Sequence, residues 1–130
     1  MNIIAHGIDI VRCERIEHMW RDHADRFLDR VYTPAEQQYC LNCKTQAVRL
    51  AGRFAVKEAV MKVLGTGWRG GIRWTDIETL PDPLGKPLLT LHGESAKLAQ
   101  SLGIERILIS ISHTQDHAIA SAIAIAKQHA

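Results

Sequence analysis

A single carboxylate, Glu58, stands among Arg49, Arg53, Lys57 and Lys62 in a stretch that closes on Gly65-Thr66-Gly67. Residues four apart on a helix share a face. Phe54, Glu58 and Lys62 therefore form one stripe, and Arg49, Arg53 and Lys57 a neighbouring one. One acid ringed by cations suits a site for a metal ion together with a polyanion such as a phosphate ester. The same spacing also serves a solvated helix face carrying ordinary intrahelical ion pairs, which are common and weak. A second acid, Asp9, interrupts the apolar run Ile8-Asp9-Ile10-Val11. Buried unpaired, it would be costly, so it requires a cation, a metal or an exit to solvent. A strand-end acid or a helix cap accounts for it as well. Cys40 and Cys43 form one C-x2-C, but a structural zinc needs four ligands and no second cysteine pair exists. Free thiols are the better account of Cys13, Cys40 and Cys43.

The elements that must position these residues are legible in outline. Residues 2 to 11 read as a strand. Residues 13 to 26 suit a helix in which Ile16, Trp20, His23 and Phe27 recur at helical spacing and should face the core. Thr33-Pro34-Ala35-Glu36 is a helix start: Thr33 caps, Pro34 fits the first position and Glu36 completes a capping box. That helix should end near Lys44. A long helix follows from about Thr45 to Leu64, with Gly65 placed for the left-handed residue after it. Gly65 to Gly71 must be a loop, whose glycines would let backbone approach a phosphate closely or simply stop a helix. Ile72 to Leu80 and Leu88 to His92 read as strands of a hairpin around Pro81 to Pro87. Glu94 to Leu102 is a short helix. Arg106 to Ser112 alternates, as does the last strand, whose Ala118, Ala120, Ala122, Ala124 and Ala126 imply close packing against a helix or another subunit. The expected fold is α+β, one domain over residues 1–130, with a mostly antiparallel sheet covered on one face by the long helix.

Composition excludes several classes of function. With 46% hydrophobic and 23% charged residues the chain is an ordinary globular one. A net charge of +2, with the basic residues scattered, does not argue for nucleic acid. No apolar run is long enough for a membrane span. The first seven residues show no secretory pattern, so a cytoplasmic protein is expected.

Four stretches follow one another in order: Gly7-Ile8-Asp9-Ile10-Val11, Arg26-Phe27 with Arg30-Val31-Tyr32-Thr33-Pro34-Ala35-Glu36, the run from Arg53 to Gly67, and Ser110-Ile111-Ser112-His113-Thr114. Asp76-Ile77-Glu78 and Gly85-Lys86-Pro87 lie between them. Together they resemble the small, bacterial-type holo-[acyl-carrier-protein] synthases, the short class of 4′-phosphopantetheinyl transferases. The resemblance implies Mg²⁺-dependent transfer of the phosphopantetheine arm of coenzyme A to a serine of apo-acyl carrier protein, leaving adenosine 3′,5′-bisphosphate. It implies a homotrimer with each active site between two subunits. By position, Asp9 and Glu58 match the metal-binding carboxylates and, with Lys62 beside the pyrophosphate, the catalytic group. Arg53, His113 and Thr114 match residues that grip the adenosine 3′-phosphate, the last two from the neighbouring subunit. Gly65 and Pro87 match further coenzyme A positions. Arg15, Arg26 and Arg30 align with the basic face that meets the acidic carrier protein.

The carrier supplies the nucleophile, so the chain needs no catalytic serine. A metal-held water, Asp9 or Glu58 could each accept the proton. The family usually carries Gly-x-Gly before the aspartate; here Ala5-His6-Gly7 puts a histidine in that strand, either near the metal or packed elsewhere. A carrier-binding or nucleotide-binding module without catalysis is the alternative, and the joint presence of Asp9, Glu58 and Lys62 counts against it. A trimeric structural protein whose cationic helix only joins subunits is a third reading.

Overall fold

The computed structural model describes residues 2–68 and 70–128. In chain order these form β1 (Ile3–Arg12), α1 (Cys13–His23), α2 (Asp25–Val31), α3 (Pro34–Leu41), α4 (Gln46–Leu64), one 3₁₀ turn (Trp74–Asp76), β2 (Ile77–Pro81), β3 (Pro87–Leu91), α5 (Gly93–Ser101), β4 (Ile104–His113) and β5 (His117–Ala126). All pairings are antiparallel: β1-β5-β4 make one sheet, and β2-β3 a separate hairpin. The α+β expectation holds, with the long helix α4 laid across the three-stranded sheet.

The sheet has two unlike faces because strand side chains alternate. Gly7, Val11, Ala118, Ala120, Ala122 and Ala124 are buried toward α4. The small side chains let the helix come close: a Cβ added at Gly7 would overlap the Ala59 carbonyl oxygen, and one at Gly52 would stand 3.2 Å from Cγ2 of Ile111. The alanine stripe is thus a seat for a helix of the same chain. On the opposite face lie Ile8, Ile10 and Leu108, all exposed, beside the half-buried Ile119 and Ile123.

Several boundaries differ from expectation. The helix at 13–26 breaks at Ala24, whose φ of 48° lies in the left-handed region, and restarts as α2. The break resets the helical phase. Ile16 and Phe27 reach the core as expected and Trp20 is half-buried, but His23 is exposed. The third helix ends at Leu41, short of Lys44, with Asn42 as its C-cap. Residues 72 to 76 are not strand, because the buried Asp76 carboxylate accepts the Arg73 backbone N–H at 3.0 Å and closes a turn there. Thr33 caps α3 with the full capping box, and Gly65, at φ 81°, ends α4.

A solvated α4 with intrahelical ion pairs is the reading the structure overturns. Arg53 and Lys57 are buried, along with most of the helix. Lys57 reaches off the helix, donating to Glu36 Oε1 at 2.9 Å and to the carbonyls of Trp74, at 3.0 Å, and Ile77. Glu36 is fully buried too, and also accepts the backbone N–H groups of Thr33 and Thr79. Burial pushes the Lys57 ammonium pKa down, and the Glu36 carboxylate pulls it back up. Removing one partner of such a pair strands the other. Lys57→Met is therefore expected to cost about 3–5 kcal/mol of stability, read as a lowered urea midpoint; a loss below about 1 kcal/mol would show that the pair is dispensable.

Candidate active site

The close crossing of α4 over β1 builds the site. Asp9 lies two residues beyond Gly7 and therefore on the same sheet face; Glu58 precedes Ala59, the residue Gly7 touches. Lys62 stands one helical turn past Glu58. Its Nζ donates to the Ile8 carbonyl at 2.7 Å and sits 3.4 Å from Asp9 Oδ1. Asp9 thus gains a cation while staying partly open to solvent.

The electrostatics set a partly buried acid beside a second one, with cations around both. Partial burial and the Asp9 carboxylate push the pKa of Glu58 up; Arg15, a hydrogen bond from Trp68 and Lys62 pull it back. Two carboxylates that repel each other, with only oxygen donors, suit a hard cation such as Mg²⁺, which takes one or two protein carboxylates and keeps water and phosphate oxygens. No cluster of three or more His, Cys, Asp or Glu side chains poised for a metal occurs among the described residues. The fit is therefore to a metal that shares its coordination with a substrate, not to a closed protein cage.

Glu58 lies at the edge of a cavity of about 490 Å³ lined by Arg15, Arg26 and Arg30 and by Phe27, Phe54 and Trp74. Arg15 stands over the Phe54 ring, 5.3 Å from its centroid. Trp74 stacks on Phe54 with centroids 4.9 Å apart, and Trp68 stacks on Trp74 at 3.8 Å. The three arginines named from the sequence therefore share one opening with Glu58. The aromatic wall was not anticipated. The sequence places only Phe54 on the Glu58 stripe; Trp68, a large ring in a glycine loop, and Trp74 just beyond that loop have no role assigned from it, and of the loop Arg69 lies outside the described residues.

Other expected residues stand apart. His113 pairs with Ala118, which pairs with Val11, so His113 lies two strands across from β1, level with a residue two positions beyond Asp9. Thr114 closes the β4–β5 turn, its Oγ1 accepting the N–H groups of Asp116 and His117. Pro87 opens β3 opposite Pro81. Arg53 is turned away from Glu58 and lies against Tyr39. His6 alternates with Gly7 and faces the outer side of the sheet, away from Asp9. One chain gathers Asp9, Glu58 and Lys62, with Gly65 just beyond on α4, and leaves the His113-Thr114 pair elsewhere.

The Glu58 shift has a sign. Between the ordinary carboxylate value of 4.5 and its raised value, the folded chain holds a proton that the unfolded chain has lost. Stability therefore falls as pH rises through that window, and the penalty persists above it. Glu58→Gln is expected to melt at or above the parent's temperature at pH 7, and to lose the parent's fall in stability as pH rises above the ordinary carboxylate value of 4.5. A clearly lower melting temperature for the variant at pH 7 would refute this electrostatic account.

Comparison with known proteins identifies the family of the chain. Residues 5–122 match the family model described as the 4′-phosphopantetheinyl transferase superfamily. The chain is 48% identical over 121 residues to the holo-[acyl-carrier-protein] synthase of Koribacter versatilis, covering 93% of this chain and 97% of that one. With the synthase of Protochlamydia amoebophila it shares 49% identity over 117 residues, 90% and 93% of the two chains. Among solved structures, the synthase from Neisseria meningitidis superposes with a TM-score of 0.86 at 34% identity, covering 95% of this chain and 99% of that one. The Helicobacter pylori synthase, solved in complex with coenzyme A, gives a TM-score of 0.82 at 33% identity, covering 93% and 100%. With that match over most of its length, the chain belongs to the 4′-phosphopantetheinyl transferase superfamily.

Proposed function

We propose that the protein is a holo-[acyl-carrier-protein] synthase that moves the 4′-phosphopantetheine arm of coenzyme A onto a serine of apo-acyl carrier protein. The observation that carries this is the meeting of Asp9, Glu58 and Lys62 beside a cavity rimmed by Arg15, Arg26 and Arg30. Family membership supports it, as do the related structures solved with coenzyme A.

In the proposed reaction the carrier serine oxygen bonds to the phosphorus that bears pantetheine. The bond from that phosphorus to the adenosine-side phosphate breaks, and adenosine 3′,5′-bisphosphate leaves. Asp9 and Glu58 would hold Mg²⁺, whose charge offsets that of the diphosphate in transfer. Lys62, free to swing from the Ile8 carbonyl, adds a point charge to the same diphosphate. The serine proton passes to Asp9, Glu58 or a water between them. The exposed Arg15, Arg26 and Arg30 receive the acidic carrier in a manner weakened by salt. The setting is the cytoplasm.

Incubation with coenzyme A, Mg²⁺ and apo-acyl carrier protein is expected to add one phosphopantetheine arm to the carrier, read by mass spectrometry. Asp9→Ala and Glu58→Ala should each abolish the gain while the circular dichroism of the fold is kept. A parent protein that adds no arm would leave only a binding module.

The assembly proposed is a homotrimer whose active sites borrow His113 and Thr114 from a neighbouring subunit to grip the adenosine 3′-phosphate with Arg53. Gly65 and Pro87 complete the coenzyme A contacts. Two facts support this. His113 is separated from Asp9 by the intervening strand β5 within one chain. The outer sheet face also bears Ile8 at 50% exposure, Ile10 at 63% and Leu108 at 45%, more apolar surface than a lone sheet face usually leaves to water. The parent is expected to sediment as a trimer, and Ile10→Lys to sediment as a monomer with little transfer activity. A fully active monomeric parent would refute the shared site.

A further inference from the structure

The outer face of the β1-β5-β4 sheet carries one residue unlike its apolar neighbours. His6 alternates with Gly7 and so points away from α4, on the side of Ile8 and Ile10. It is exposed, and it stands in register with Ile123 of β5 and, through Ile123, with Leu108 of β4. The next row across the sheet is Ile8, Ser121 and Ser110; the row after it is Ile10, Ile119 and Ser112. Other charged or titratable residues of this face stand at its ends. Arg106 lies two positions before Leu108, and Arg12 pairs with His117 beyond Ile10. The carboxylates of the three strands are Asp9, which faces α4, and Glu105, which sits at the β4 bulge; neither is in register with His6.

An imidazole changes its charge close to neutral pH, ordinarily at about 6.5. In water it tolerates both forms. Covered by an apolar surface and without a carboxylate partner, its charged form is penalised. The surface around His6 is of that kind, with Ile8 at 50% exposure, Ile10 at 63% and Leu108 at 45%. A subunit packed over this face therefore covers the imidazole as well. The separated subunit then binds a proton more tightly than the assembled one does. Well above the ordinary imidazole value of about 6.5 the group is neutral in both states and favours neither. As pH falls through that value, the separated subunit gains a proton that the assembly does not, and the equilibrium moves toward separated chains.

We propose that His6 is a pH switch for assembly: neutral and covered in the trimer at neutral pH, and protonated in acid, when the subunits separate. Transfer falls with separation, since the shared active site needs His113 and Thr114 of a neighbouring subunit. The inference rests on the trimer reading, and adds to it a residue that the family pattern does not call for.

The test is sedimentation equilibrium over a dilution series at about pH 8 and about pH 5.5, with circular dichroism at each, on the parent, His6→Gln, His6→Ile and His6→Lys. At about one pH unit below the imidazole value each subunit resists assembly by roughly tenfold, so the parent's concentration of half-dissociation should rise by roughly thirtyfold. In His6→Gln and His6→Ile, which have no proton to gain, it should change by less than about threefold. His6→Lys, charged at both pH values, should sediment as a monomer at either while its circular dichroism is kept. Should acid unfold the parent, the lysine variant decides, and a trimeric His6→Lys would overturn the inference. A parent whose trimer is equally tight at both pH values would overturn the inference alone. So would a glutamine variant that dissociates in acid as the parent does, since the effect would then belong to another group such as His117. A parent that is monomeric at both pH values would overturn the trimer reading and this inference with it.

Discussion

Lys57 and Glu36 are both sealed from solvent, and each spends its hydrogen-bonding capacity on a different part of the chain. Glu36 completes the N-terminal cap of α3 and accepts the Thr79 N–H of β2. Lys57 brings α4 to that carboxylate and also holds the carbonyls of Trp74 and Ile77. A buried pair of this kind adds little net stability over apolar packing, but it tolerates no loss of either member. Its effect is one of geometry. With the Trp74 carbonyl fixed, the Trp74 ring lies between Phe54 and Trp68, and that stack forms the wall beside Glu58. The face of α4 that carries Glu58 is thus set from the helix's other side.

The second constraint is steric. Helix and sheet approach so closely at Gly7 that no side chain fits there. The approach is what brings an acid from β1 next to an acid and a lysine from α4. Interior packing is dense and does not give easily, so the spacing of Asp9, Glu58 and Lys62 is held by the core and not by their mutual attraction. Burial, and after it the neighbouring Asp9 carboxylate, raises the pKa of Glu58. Alternation along β1 then divides the labour: Gly7 and Asp9 look toward α4, while Ile8 and Ile10 look outward and are exposed.

Local signals were read well from the sequence where the physics is local. Thr33-Pro34-Ala35-Glu36 started a helix because a hydroxyl, a fixed φ and a carboxylate three residues on satisfy its first N–H groups. Gly65 stopped α4 because it enters the left-handed region without cost. The same reasoning failed where distant groups intervene. Helical periodicity assigned His23 to the core, but Ala24 breaks the helix and Phe27 reaches the core in a new register. Residues 72 to 76 looked like strand until the Asp76 carboxylate took the Arg73 N–H.

The sequence by itself determined the α+β order of elements and nominated Asp9, Glu58 and Lys62 together, through their types and through a family pattern that spans most of the chain. Those properties are written in neighbouring residues and in their order. Only the tertiary structure decided that Lys57 is a buried anchor and not a solvated cation, since its partner lies 21 residues away on another helix. Only the fold could show that Arg53 is desolvated beside Tyr39 and Arg49 while His113 is two strands from Asp9. Charge is a property of the residue, but its cost depends on what surrounds it, and the surroundings are assembled from all parts of the chain.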